Sequence, residues 1–128
     1  YVLLLGSFGA TAVLLFGICT SPFAQPRNLF GGHLLSALIG VASVQLFPEN
    51  PVVAAPLAVA TAVAVMQLSR TLHPPGGATA LIAVIGPESV QQLGFAYLLP
   101  VLIGITILFV AAVVSLNLFA RERRYPLY

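Results

Sequence analysis

Long apolar runs separated by short polar breaks set the layout of this chain. The first run covers Tyr1 to Thr20, and its only ionisable side chains are Tyr1 and Cys19. About 20 apolar residues suffice to cross a hydrocarbon core of about 30 Å as a helix. Ser21-Pro22-Phe23-Ala24-Gln25-Pro26-Arg27-Asn28 forms the first loop, and a second span follows from Leu29 to Phe47. Pro48-Glu49-Asn50-Pro51 reads as a tight turn. A third span runs from Val52 to Ser69, and a last one from Gly94 to Ala120 with Pro100 expected to kink its first third. The pattern predicts an all-α polytopic bundle of about five helical segments, the first, third and fifth of them full length.

The fourth run departs from this scheme. Arg70-Thr71-Leu72-His73-Pro74-Pro75-Gly76-Gly77 interrupts the apolar sequence, and only Ala78 to Ile85 follows before Gly86-Pro87. Two adjacent prolines lack N–H donors and clash with a preceding helical turn, so a helix must break here. The residue before a proline is pushed toward extended backbone, which places His73 outside a helix. Counted from Pro75, the next helix rises roughly 16 Å at 1.5 Å per residue, about half a bilayer. A short, broken or re-entrant helix is therefore expected, with the His-Pro-Pro loop dipping below the interface and His73 approaching His33. Non-helical backbone at that depth must be buried in protein or line a polar cavity.

Composition and charge narrow the class. Only 6% of residues are charged and the mean hydropathy is +1.05, against about 25% charged in soluble domains. The chain reads as one integral membrane domain, residues 1–128. The net charge of +2 rests on five arginines, too few for nucleic-acid binding. Arg27, Arg70 and the Arg121–Arg124 cluster occupy alternate connections, while Glu49 and Glu88 occupy the others. This is the positive-inside pattern, so the arginine ends face a cytoplasm, stroma or matrix. The membrane is then a bacterial inner membrane or that of a chloroplast or mitochondrion. The chain opens at Tyr1 without methionine or a charged flank, and an upstream helix is expected to be missing. Cys19 is the lone cysteine and reads as a small buried hydrophobe; no metal-ligand spacing and no cofactor motif is present.

The candidate chemistry is anion binding. Helix N-termini offer free N–H groups and a partial positive charge, and two are expected, after Asn28 and after Pro75. Arg27 and Arg70 add forked donors. His33 and His73 donate from one ring nitrogen when neutral and from both when protonated, which admits proton coupling. The candidate site residues are Arg27, Asn28, Gly32, His33, Arg70, His73, Gly76, Gly77 and Thr79. Plainer roles stand beside these. The arginines serve equally as topological anchors, the histidines as bonds to loop carbonyls, and Gln67 and Asn117 as contacts between helices. A two-histidine haem site requires facing helices, which a Pro-Pro loop does not supply. Tyr125 and Tyr128 read as interface anchors. Ala10-Thr11-Ala12-Val13 echoes Ala60-Thr61-Ala62-Val63, and Gly31-Gly32 echoes Gly76-Gly77, the spacing expected of an internal repeat with a site at its interface.

Gly9–Phe16, Ser21–Asn28, Gly31-Gly32-His33, Thr71–Leu81 and Arg123-Arg124-Tyr125-Pro126 together resemble the HPP family of integral membrane proteins, named for its His-Pro-Pro motif. The likeness covers nearly the whole chain, with alanine more usual at Gly76 and serine at Thr11. Cyanobacterial and chloroplast members are associated with nitrite transport. The resemblance therefore implies a transporter or channel for a small monovalent anion, nitrite first, and not an enzyme. The rival expectation is a structural or assembly subunit of a larger membrane complex. Expected partners are the lipid bilayer, a small inorganic anion, and either further copies of the chain or a membrane complex.

Overall fold

A computed structural model describes residues 5–119 and 124–128. Among the described residues the fold is all-helical. Helix α1 (Gly6–Ala12) runs on into a π-helical turn, Val13–Gly17. A 3-10 turn at Pro22–Ala24 leads into α2 (Pro26–Leu46), followed by α3 (Pro51–Leu68), α4 (Pro75–Ile85), α5 (Glu88–Gln91) and α6 (Leu98–Phe119). Three helices are long and apolar enough to cross a membrane: Pro26–Leu46, Pro51–Leu68 and Gly94–Phe119 with its leading 3-10 turn. The second span thus joins the third and last as full length. The first does not, since its described helical part, Gly6–Gly17, has the length of a half-span. Tyr1–Leu4 lie outside the described residues.

Prolines set the helix starts. Pro26, Pro51 and Pro75 each occupy a first-turn position, where the missing N–H would have no helical partner anyway. Pro100 falls in the first turn of α6 as well, so the expected kink has no cause there. The proline that does stand inside a helix is Pro56 of α3. Asn50 caps α3 by accepting from the Val53 N–H at 3.2 Å. Gln91 of α5 donates to the Val84 and Gly86 carbonyls at 3.0 and 2.9 Å, closing the C-terminal end of α4.

Helices α2, α3 and α4 form the tightest packed unit, and glycine makes it so. A Cβ at Gly40 would lie 2.6 Å from the Ala80 carbonyl oxygen, and one at Gly31 would lie 2.6 Å from Thr71 Cγ2. With no hydrophobic drive between helices in lipid, such close backbone approach supplies the dispersion energy that holds them. Ala54, Ala58 and Ala62 make the facing stripe on α3. Helix α1 and α6 close the other side around Phe8, Leu15, Val101 and Ile105.

The connections that carry arginine meet at one end. Arg27 Nη2 donates to the Ser69 carbonyl at 3.1 Å. Tyr125 Oη donates to the Ala24 carbonyl at 2.7 Å, and the Leu127 N–H donates to Gln25 Oε1 at 2.9 Å. Asn117 holds the tail by exchanging hydrogen bonds with the Tyr125 backbone. Arg121 and Arg123 lie outside the described residues. Tyr125 is buried by this clip and is not an interface anchor, while Tyr128 is exposed.

Candidate functional site

The His-Pro-Pro loop begins as a helix ending. The Thr71 N–H bonds the Met66 carbonyl at 2.8 Å and the Arg70 N–H bonds Gln67 at 3.1 Å. This pair of bonds is the Schellman closure, and it puts Arg70 at the position that must be left-handed. Arg70 has φ 56°, where glycine is the usual occupant. Its side chain is exposed, as is that of Arg27. Asn28 donates to the Leu72 carbonyl at 2.7 Å and ties this loop to α2. Gln67 is exposed and, among the described residues, neither lines the site nor bridges helices.

Pro74 is exposed, and the chain turns inward on either side of it at His73 and Pro75. The depth of Pro74 against Arg121 is a comparison that falls outside the described residues. His73 packs where α2 has no side chain: a Cβ on Gly32 would overlap His73 Cβ and lie 3.0 Å from the Thr71 carbonyl oxygen. Gly76 is similarly confined, with Ser36 Oγ at 2.8 Å and the Gly32 carbonyl at 2.9 Å from a Cβ placed there. Gly77 is not, since Val59 Cγ1 at 3.8 Å is ordinary contact.

The two histidines meet, as the loop pattern led us to expect. Their ring centroids are 4.8 Å apart and both side chains are fully buried. Thr11 stands between them, with Oγ1 at 2.7 Å from His33 Nε2 and 3.1 Å from His73 Nε2. His33 Nδ1 lies 2.7 Å from Thr79 Oγ1, and His73 Nδ1 lies 2.7 Å from the Phe23 carbonyl. All four ring nitrogens therefore have partners inside the chain. Phe8 closes over His33 in an edge contact at 5.8 Å. Thr79 lines this cluster and does not cap α4, whose N-cap position is Pro74.

Two expected features of an anion site are absent from this arrangement. The N-terminus of α4 offers no free donor near the histidines: Pro74 and Pro75 have no N–H, Gly76 N–H bonds the His73 carbonyl at 2.8 Å, and Gly77 N–H bonds Pro74 at 3.1 Å. The guanidinium of Arg27 is turned to Ser69 and not to the imidazoles. Also at this end lies the start of α2, where exposed Arg27 and half-buried Asn28 are first-turn residues whose N–H groups lack intrahelical partners. Thr61, the echo of Thr11, is exposed on α3, so that part of the internal repeat does not place equivalent residues.

Thr11 is the site residue that the sequence hid. A single threonine in an apolar run gives no chemical signal by itself, and its place in the site comes only from the two histidines that close on it. Gln25, in the Gln-Pro-Arg-Asn loop of the expected site, takes a structural part instead. It is fully buried and spends its amide on the Cys19 and Ser21 carbonyls and on Leu127.

A bundle of apolar spans enclosing a buried polar cluster defines an integral membrane protein, with the bilayer as its solvent. Residues 1–126 match the family described as HPP, transmembrane region, and the chain belongs to that family. It is similar to two transmembrane proteins of Dictyostelium discoideum. One is 50% identical over 98% of this chain and 45% of its own length; the other is 48% identical over 99% and 42%. The chain thus spans less than half the length of these curated relatives. No solved structure matches it.

Proposed function

We propose that this domain moves a small monovalent anion across the membrane, with nitrite the first substrate to test. The observation that carries this is the enclosed His33–Thr11–His73–Thr79 cluster. Ionisable groups are costly inside a bilayer, and where they stand they mark pathways for ions and substrates. Arg27 and Arg70, exposed at one end with the start of α2, supply the positive field that gathers anions at the mouth. The glycine-packed junction of α2 with the His-Pro-Pro loop is closed in this conformation, so passage requires that junction to open. The arginine end faces the cytoplasm, stroma or matrix.

One observation favours a second reading, a packing unit within a larger membrane assembly. Every imidazole nitrogen is already satisfied inside the chain, as in a purely structural lock. Uptake of nitrite, nitrate and formate by proteoliposomes separates the two. Transport predicts saturable nitrite uptake above protein-free vesicles, falling about tenfold in the Arg27→Ala, Arg70→Ala double variant as the local anion concentration drops. Uptake equal to that of empty vesicles would sink the transport reading and leave the packing unit.

A further inference from the structure

The hydrogens in the histidine cluster can be assigned from one fixed point. The Phe23 carbonyl only accepts, so His73 Nδ1, at 2.7 Å, carries a proton. A neutral His73 then has a bare Nε2, which must receive the Thr11 hydroxyl hydrogen across 3.1 Å. Thr11 has one hydrogen, so His33 Nε2 must donate to it across 2.7 Å. His33 Nδ1 is then bare and receives the Thr79 hydroxyl at 2.7 Å. The neutral cluster has a single consistent direction: Thr79 to His33, His33 to Thr11, Thr11 to His73, His73 to Phe23. The two histidines are held in opposite tautomers.

Thr11 has a second acceptor in reach. The Ser7 carbonyl lies 3.0 Å from Thr11 Oγ1, almost the same distance as His73 Nε2. One hydroxyl hydrogen thus stands between two acceptors. If His73 Nε2 gains a proton, it becomes a donor to Thr11 Oγ1, and the Thr11 hydrogen turns to Ser7. No other bond in the cluster has to change. The resulting imidazolium is backed by two carbonyls, Phe23 directly and Ser7 through Thr11, whereas both partners of His33 are hydroxyls. The cluster has room for one added proton, and its place is His73.

Among the described residues, the surroundings supply no competing charge. Facing the cluster are Ser7, Phe8 and Thr11 from α1, His33 from α2, Thr79 from α4 and the Phe23 carbonyl, with Met66 of α3 beside Gly32 and Gly76. Tyr97 donates to the Thr79 carbonyl at 3.2 Å. Among the described residues no carboxylate or guanidinium bonds to any member. Arg27, Arg70, Glu49 and Glu88 are all exposed. Ser7 Oγ is the buried side-chain oxygen left without a partner among the described residues, one turn from Thr11. The two ends of the relay also face different ways. Phe23 belongs to the arginine end, while Tyr97, bonded to the Thr79 backbone carbonyl beside the relay, lines a cleft with Val41, Gln45, Ala83 and Gln91 toward the opposite end.

We propose that Thr79–His33–Thr11–His73 is a one-proton relay, which stores a proton on His73 Nε2 and carries it with the transported anion. A proton given to Thr79 Oγ1 displaces that hydroxyl's own hydrogen to His33 Nδ1; His33 passes its Nε2 proton to Thr11, and Thr11 passes its hydrogen to His73. One proton enters and one extra proton resides on His73; His33 is left protonated at Nδ1 with its Nε2 accepting from Thr11, so both of its bonds reverse direction, and no bond between heavy atoms changes. Its coupling role rests on the transport reading above, whereas its proton chemistry does not.

The test therefore has two arms. In the first, the full chain is labelled with 15N-histidine in lipid bilayers and its imidazole signals are assigned with His33→Gln and His73→Gln. Opposite neutral tautomers are expected, His73 protonated at Nδ1 and His33 at Nε2, with acidification protonating His73 Nε2 first. In Thr11→Val, which keeps the shape but removes the hydroxyl, the tautomer of His33 is no longer tied to that of His73. Equal tautomers in the wild type, or unchanged tautomers and titration order in Thr11→Val, would overturn the relay. In the second arm, proteoliposomes report nitrite uptake and internal pH together. One proton per nitrite is expected for wild type and Thr11→Ser, and at least a tenfold lower ratio for Thr11→Val. Nitrite uptake with no proton movement overturns the coupling, while absence of any uptake overturns the transport reading and leaves the tautomer result to decide the relay.

Discussion

Alanine at Gly32 and alanine at Gly77 should move stability in opposite directions. The two substitutions add the same methyl group to glycines that look alike in sequence. At Gly32 the new Cβ would overlap His73 Cβ, with the Thr71 carbonyl oxygen at 3.0 Å and Met66 Sδ at 3.3 Å. Met66 can swing aside, but the other two belong to or adjoin the loop backbone. The α2–loop junction must therefore open, at about 1–3 kcal/mol for a methyl forced into a packed site. The same opening draws His73 away from Thr11 and exposes two buried imidazoles to loss of their partners, adding about 1–3 kcal/mol. At Gly77 the nearest obstacle is Val59 Cγ1 at 3.8 Å. There the methyl removes only the entropy disadvantage of glycine in a helix, a gain of about 0.5–1 kcal/mol. A gap of roughly 2.5–7 kcal/mol between the two variants is expected from these figures. Unfolding of the purified protein in mild detergent by titration with SDS would measure it. If Gly32→Ala is as stable as the wild type, the close approach of α2 to the His73 loop is wrong, and with it the placement of the histidine pair.

Arg70→Gly should raise stability by up to about 1 kcal/mol, because glycine is unstrained at the left-handed position that Arg70 fills; the same titration reads it, and a loss of stability would contradict the cap. If the transport reading holds, that variant should also lose nitrite flux at equal incorporation, so that stability and flux part company. Tyr125→Phe should cost about 1–3 kcal/mol by leaving the buried Ala24 carbonyl unpaired. It should also speed proteolytic release of the C-terminal tail, whereas an unchanged cleavage rate would mean that the clip contributes nothing.

Hydropathy carried most of the fold. The second, third and last spans, the Asn50 turn and the Pro74-Pro75 break are written in residue types whose physics is local, and they appear within a few residues of the expected places. The meeting of Gly32 with His73 was legible for the same reason, since a loop that descends needs a neighbour without side chains. What the sequence could not carry were roles set by partners far away. Thr11 is one hydroxyl among apolar residues until His33 and His73 close on it. Arg70 presents a charge, while its backbone role as a left-handed cap becomes visible only once Met66 and Thr71 are bonded. Tyr125 near a chain end resembles an interface anchor until Ala24 is seen to accept its hydroxyl. The π-helical turn at Val13–Gly17 has no proline or polar residue to announce it. The first span therefore looked like an unbroken helix.

The clip between the first loop and the tail has a consequence for biosynthesis. The Leu127–Gln25 bond joins residues 102 apart in sequence, and Tyr125–Ala24 joins residues 101 apart. A ribosome makes Ala24 and Gln25 several seconds before their partners, at about 5–20 residues per second. Through that interval the carbonyl of Ala24 and Oε1 of Gln25 stand without these partners. Only the arrival of the segment after α6 removes these unmet polar groups. A chain that stalls or is trimmed before Tyr125 lacks both bonds, and its first loop is expected to be cleaved faster by an added protease than that of the finished chain.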